Sequence, residues 1–323
     1  MVVPAVHREN AHLAEGKIKA LPAAQLHAKK SAYRYAVRLT RRSRSSFYLA
    51  FLSLPRPMYR AMCVIYAFMR LTDDIADGPL PAPGTAESEL QQRLENLQEW
   101  KAGFRKAIAG HATDHPLFPA LCDVVDQFPI DPQWLEDVIE GVARDLQSLC
   151  FHDFSQLQKY CYQVAGTVGL CCQSVWGADL SQTRSLAITC GEAFQLTNIL
   201  RDLHEDACNS RCYLPTTEMH RFECTSDNFA SRQVPDSFHD LMQFQIERAC
   251  QSYQQAALLE KHLQGAGLKM FRKMFCTYYL LLQKIAQSPQ QSLQQKVRLS
   301  KIEKAKILLT AGNCSLTKLL NKK

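Results

Sequence analysis

No stretch of this chain reaches the roughly 18 consecutive apolar residues that a membrane-spanning helix needs, so no spanning segment is expected. The first thirty residues alternate small, His and charged side chains without an apolar centre, which argues against a secretory signal. Glycine and proline are scarce, at 13 and 14 of 323 residues, and that leaves room for long helices. No apolar–polar alternation of period two competes with the helical patterns, so the expected fold class is all-α. The chain contains no GxGxxG, no phosphate-loop GxxxxGK and no GxSxG, so a dedicated nucleotide fold is not signalled.

The hydrophobic fraction of 46% and the length suit a soluble globular chain with a substantial core. The net charge of +7 favours anionic substrates or anionic lipid surfaces, but it is too weak and too spread to indicate nucleic acid. The 13 cysteines are odd in number and often lie inside apolar runs (Cys63, Cys161, Cys171, Cys172, Cys190, Cys250, Cys276). That usage fits free buried thiols in a reducing compartment. A cytoplasmic location is expected, with contact to a membrane surface left open.

Two acidic stretches organise the rest. In Gln195 to Pro215, QLTNILRDLHEDACNSRCYLP, helical spacing places Gln195, Asn198, Asp202, Glu205 and Asp206 on one polar stripe inside an apolar run. In the first third of the chain, RLTDDIAD lines up Tyr66, Arg70, Asp73 and Asp77, with Asp74 one position off the row. A solvated face normally mixes Lys with Glu in i,i+4 pairs, whereas these stripes gather like charges. Clustered carboxylates call for a cation, and Mg²⁺ suits hard oxygen ligands completed by water and substrate phosphates. Two such clusters would hold a diphosphate between them.

In chain order, residues 1–30 read as an N-terminal arm and 31–323 as one helical domain. Lys29, Lys30, Arg34, Arg38, Arg41, Arg42 and Arg44 form either a solvated basic helix or a phosphate- or lipid-facing surface. Pro57 stands near the start of the helix carrying the first stripe. The GPLPAPGT that follows Asp77 reads as a flap-like loop beside the site. Helical patterns resume at 87–109 and 133–149, the latter bringing Asp145 into an apolar neighbourhood as a cap or ion-pair partner, or in support of the site. In YCYQVAGTVGLCCQSVWG, interior glycines cost about 1 kcal/mol each against Ala. Either a cavity wall of Val164, Ala165, Gly166 and Gly169 or close helix packing would compensate. Two further amphipathic helices are expected at 238–263 and 268–285, followed by a basic tail.

DDIADG has too few alternating oxygens for a calcium loop. His204, Cys208, Cys212, His220 and Cys224 imitate a zinc set, but their spacing matches none of the usual pairs.

RLTDDIAD and NILRDLHEDACNSRCYLP resemble the two aspartate-rich motifs of the squalene/phytoene synthase family, the head-to-head prenyl transferases. SSFYLAFLSLP, VIYAF and YCYQVAGTVG are similar to that family's segments in the same order, over about residues 40 to 300. The resemblance implies an isoprenoid-synthase helical bundle around a central cavity. It further implies Mg²⁺ on Asp73, Asp77, Asp202 and Asp206, with Asn198 among the metal ligands. Arg70, Tyr160, Gln195, Arg201, Arg211, Tyr213 and Arg298 would contact diphosphate or metal, and Phe47, Val164 and Gly169 the prenyl chain. Ser210 departs from the pattern, standing where a Gly usually precedes the Arg. The implied reaction is condensation of two farnesyl diphosphates to presqualene diphosphate, and onward to a C30 product. Phytoene synthase, using two geranylgeranyl diphosphates, is the alternative. A non-catalytic binding protein of the same fold is a third reading, opposed by Asp at all four metal positions. The residues leave open whether NADPH takes part.

Overall fold

A computed structural model describes residues 23–43, 46–77, 86–147 and 150–320. The arm residues 1–22, Arg44, the side chain of Phe47 and the loop 78–85 lie outside the described residues. The helices in chain order are α1 (Ala23–Arg42), α2 (Ser46–Phe51), α3 (Arg56–Ala76), α4 (Ala86–Ile108), α5 (Phe118–Gln127), α6 (Pro132–Arg144), α7 (Phe154–Cys161) and α8 (Thr167–Trp176). They continue as α9 (Leu180–Cys208), α10 (Thr216–Arg221), α11 (Ser226–Ser231), α12 (Phe238–Ala256), α13 (Gly265–Gln287), α14 (Gln291–Gln294), α15 (Lys301–Thr310) and α16 (Leu316–Leu320). Among the described residues there is no strand, only one bridge between Cys150 and Cys212. None of the described helices is long and apolar enough to cross a membrane. α1 begins at Ala23 and runs through residue 31, so the expected arm and domain share one helix.

Two helices carry the architecture. The 29-residue α9, about 43 Å long at 1.5 Å per residue, packs against α12, α8, α13 and α14. α3 packs against α1, α4, α5 and α6, and the cavity lies between α3 and α9. Burial alone would let these rods slide, and polar keys fix their register. Buried Glu192 on α9 accepts from Gln158 Nε2 (2.7 Å) on α7 and from Ser252 Oγ (2.8 Å) on α12. Thr197 shares a 2.9 Å hydrogen bond with the Tyr253 hydroxyl. Each buried polar group is thereby satisfied, which removes the desolvation cost of leaving it alone.

The acidic end of α3 is held by aromatics. Trp100 on α4 stacks between Phe68 (5.4 Å) and Phe118 (4.8 Å), while its Nε1 donates to Thr72 Oγ1 at 2.9 Å. Phe118 opens α5, a ten-residue helix that the sequence reading did not identify. Its Pro119 sits in the first turn, where the missing N–H costs nothing.

Between α7 and α8 the chain stays helical through one π-helical stretch, Tyr162–Gly166. On one side of this rod Gly166 and Gly169 face α9; a Cβ on Gly169 would lie 2.7 Å from the Ala187 carbonyl oxygen. Gly169 does not line the cavity and serves close helix packing, correcting its expected place on the wall. The 13 cysteines are free; of the seven in apolar runs six are buried, and Cys250 is half-buried.

Candidate active site

The cavity between α3 and α9 has a volume of about 560 Å³. Its polar rim brings together Asp73 and Asp77 from the first stripe with Gln195, Asn198, Arg201, Asp202 and Asp206 from the second. Its apolar walls include Phe51, Met62, Val142, Val164, Val168 and Ile199. Helical periodicity thus delivers both stripes to one space. Val164 lies in the π-helical stretch, where the wider turn re-aims side chains relative to a regular helix.

Asp77 caps α3, its N–H bonded to the Asp73 carbonyl at 2.7 Å, so the stripe ends where the chain turns extended. Asp73 meets water in the cavity mouth, yet the surrounding protein and the neighbouring Asp77 push its carboxyl up to about 7. Burial and Asp202 push Asp206 up to about 7, with Arg211 opposing. Asp202 is clasped by Arg201, whose Nε lies 2.9 Å from Oδ1, and by Lys296, whose Nζ lies 3.2 Å from the same oxygen. Lys296 also reaches Glu205 at 2.8 Å. The sequence reading missed Lys296 and named Arg298, which is exposed and does not line the cavity.

Asp145 is the other residue whose role the sequence reading left open. It follows α6 and lines the cavity, and its Oδ1 accepts from both the Tyr160 hydroxyl (2.8 Å) and the Tyr213 hydroxyl (3.0 Å). The two rings stack at 5.3 Å. Burial pushes the Asp145 carboxyl up to about 6 despite these donors and nearby Arg211. Burial and Asp145 in turn push both phenols well above their ordinary value, so both stay protonated donors. Arg211 follows Ser210, which occupies the left-handed region at φ 57°, the conformation a Gly would take without strain. The Arg211 N–H bonds to the Asp206 carbonyl at 2.9 Å, which keeps the turn against α9. Arg70 does not line the cavity; it pairs with Asp74 one turn on, and its charge opposes the rise of the Asp73 carboxyl.

The residues present fit Mg²⁺. Asn198 lines the cavity and its Oδ1 is buried with no hydrogen-bond partner, an acceptor left for a ligand. Burial raises the carboxyls of Asp73 and Asp206 most, and their acidic neighbours Asp77 and Asp202 add a repulsion that a divalent cation would remove. Among the described residues no three His, Cys, Asp or Glu side chains come close enough to hold a metal by themselves. An ion held here would need waters and substrate phosphate oxygens to complete its shell, and no zinc set is assembled among the described residues. His204 is instead engaged by the Phe229 carbonyl and Arg232.

Folded carboxyls at about 7, 7 and 6 lie above the unfolded value of about 3.9. The folded state therefore holds these protons more tightly than the unfolded chain. Their stabilisation is complete below about pH 4 and is lost as pH rises through about 7. Mg²⁺ should accordingly raise the melting temperature more at about pH 8 than at about pH 6. Thermal melts in EDTA and in Mg²⁺ at both pH values read this directly, and equal shifts would contradict a carboxylate metal site.

The family pattern described as squalene/phytoene synthase matches residues 40–303. The 15-cis-phytoene synthase of Synechococcus elongatus is 34% identical over 251 residues, covering 74% of this chain and 79% of its own. The phytoene synthase of Mycobacterium tuberculosis is 31% identical over 292 residues, covering 88% and 92%. Among solved structures, a dehydrosqualene synthase in complex with ligand superposes with a TM-score of 0.74 at 24% identity, over 93% of this chain and 100% of that one. A squalene synthase from Alicyclobacillus acidocaldarius gives 0.73 at 22% identity, over 83% and 97%. At those identities the two structures show the fold, the all-α isoprenoid-synthase bundle.

Proposed function

Because this chain belongs to the squalene/phytoene synthase family, whose members are prenyl transferases, we propose that it condenses two geranylgeranyl diphosphates head to head and carries the product to phytoene. The observation that carries the reading is the pair of acidic helices facing each other across one cavity with an apolar floor. The C20 substrate is favoured over the C15 substrate by the names of the relatives at 31–35% identity.

In the first half-reaction the C1–O bond of one substrate breaks and diphosphate leaves. The double bond of the second substrate attacks C1, and loss of a proton closes a cyclopropane. In the second half-reaction the remaining diphosphate leaves, the skeleton rearranges to join the two C1 carbons, and a second proton is lost. No reductant enters this balance, whereas a squalene product would need a hydride. Mg²⁺, when bound by Asp73, Asp77, Asp202, Asp206 and Asn198, would neutralise the leaving diphosphate as a Lewis acid. Arg201, Arg211 and Lys296 are the cations beside the acidic rim that can add to this. The Tyr160–Asp145–Tyr213 unit fixes the far end of the rim through protonated hydroxyls. The Val, Ile and Met walls keep water from the allylic cation.

The test incubates the purified protein with Mg²⁺ and either farnesyl or geranylgeranyl diphosphate, with and without NADPH, and identifies products by mass spectrometry. Phytoene from the C20 substrate without NADPH is expected. Conversion of the C15 substrate alone would move the assignment to the presqualene branch, and no product from either would revive the non-catalytic reading.

A further inference from the structure

α15 presents an unusual outer face. Ile307 is its buried anchor, while Ile302 and Leu309 are each 81% exposed. At about 100° per residue, Ile302, Ala305 and Leu309 fall together on the side opposite Ile307. Lys301 and Lys306 flank that stripe on its two edges. The only acid of the helix, Glu303, is turned inward, accepting from Lys284 Nζ at 2.8 Å and from the Ser300 N–H at 2.7 Å. α15 packs against α2 and α13. α2 and the residue after it add Leu49 (51% exposed) and Leu52 (56% exposed), while Phe51 between them is buried and lines the catalytic cavity. α13 contributes exposed Lys269 and half-buried Lys273, whose ammonium is held below its usual value by burial and by Lys269.

We propose that the outer face of α15, together with Leu49 and Leu52 at α2, docks this protein onto an anionic phospholipid surface. An apolar stripe edged by lysines is the pattern of a helix lying in the membrane interface, where the stems lie along the apolar boundary and the ammonium groups reach the headgroups. The charge complementarity is one-sided: Lys269, Lys273, Lys301 and Lys306 against a single acid that already has partners. Lysine is depleted in protein–protein interfaces, which favours lipid over a second protein as occupant. Phe51 places the docking face and the cavity wall on opposite sides of one short helix, so an apolar product would leave beside the bilayer.

The full chain is mixed with vesicles of phosphatidylcholine alone, and of phosphatidylcholine and phosphatidylglycerol in equal parts, and bound protein is read by flotation. Stronger binding to the anionic vesicles is expected, weakening with salt. The double variant Ile302→Ser/Leu309→Ser should lose about tenfold or more in affinity, and Lys301→Ser/Lys306→Ser should lose the preference for anionic vesicles. Both substitutions are at exposed positions, so turnover in detergent should stay at the wild-type level whichever prenyl chain is the substrate. Absence of wild-type binding, or binding unchanged in the apolar double variant, would overturn the proposal. So would a concentration-dependent dimer in sedimentation that Ile302→Ser/Leu309→Ser abolishes, since the face would then be a protein interface.

Discussion

Asp202→Asn should lower diphosphate release by at least about a hundred- to a thousandfold while leaving the helical fold in place, an effect of the size seen when one electrostatic stabiliser is removed from a transition state. Asp202 is the residue on which the second stripe converges: it lines the cavity and holds both Arg201 and Lys296. Replacing its charge by an amide removes a proposed metal ligand and loosens its hold on Arg201 and Lys296. These cations can still attract a substrate diphosphate, so the loss should fall on kcat more than on KM. Asp73→Asn should lose turnover to a similar degree, with a second signature. Its carboxyl, crowded by protein and by Asp77, is pushed up to about 7, so an uncharged amide relieves repulsion that the wild-type protein carries when metal-free at higher pH. The metal-free Asp73→Asn protein should therefore melt above wild type at about pH 8 and lose that advantage at about pH 6. Mg²⁺-dependent diphosphate release and circular-dichroism melts measure both effects. Wild-type-like release from both variants would remove the acidic rim from the reaction.

Those two stripes were legible because they are local. Side chains three and four apart share a face whatever the fold, and the gathering of like charge is visible in the string Asp73-Asp74 and in Asp202 to Asp206. The all-α class followed from the same periodicity. What stayed hidden depends on long-range placement. Lys296 meets Glu205 from 91 positions away, and no local spacing distinguishes it from Arg298. Asp145 became a shared acceptor because α6 ends beside the turn carrying Tyr213, 68 positions on. α5 is short and has Pro119 in its first turn, so its ten residues show fewer than three turns of pattern. The π-helical stretch has no composition of its own; it is set by how the α7–α8 rod must pack on α9.

That packing sets the second large effect, Gly191→Ala. Outside a crowded contact this substitution would gain about 1 kcal/mol in a helix interior. Here a Cβ on Gly191 would lie 2.5 Å from the carbonyl carbon of Ala165 and 2.6 Å from the backbone nitrogen of Gly166. These are backbone atoms of the π-helical stretch and cannot rotate away, so α9 and the rod must separate. Overpacking of this kind costs about 3 kcal/mol or more, a large part of an ordinary stability margin of about 5–15 kcal/mol. Gly166→Ala is the internal control: its Cβ would meet Ile188 Cγ2 and Tyr162 Cδ2 at 3.3 Å, side-chain atoms that can yield by a few tenths of an ångström, and its stability should stay near wild type. The same separation reaches the chemistry. Gln195, Asn198 and Asp202 stand about one, two and three turns beyond Gly191 on α9, and Val164 and Ala165 are on the opposing cavity wall. Any Gly191→Ala protein that folds should therefore show reduced turnover as well as an early denaturant midpoint. Equal midpoints for Gly191→Ala and Gly166→Ala would mean that the seam between α9 and the π-helical stretch is not tight, and the cavity wall would then need another support.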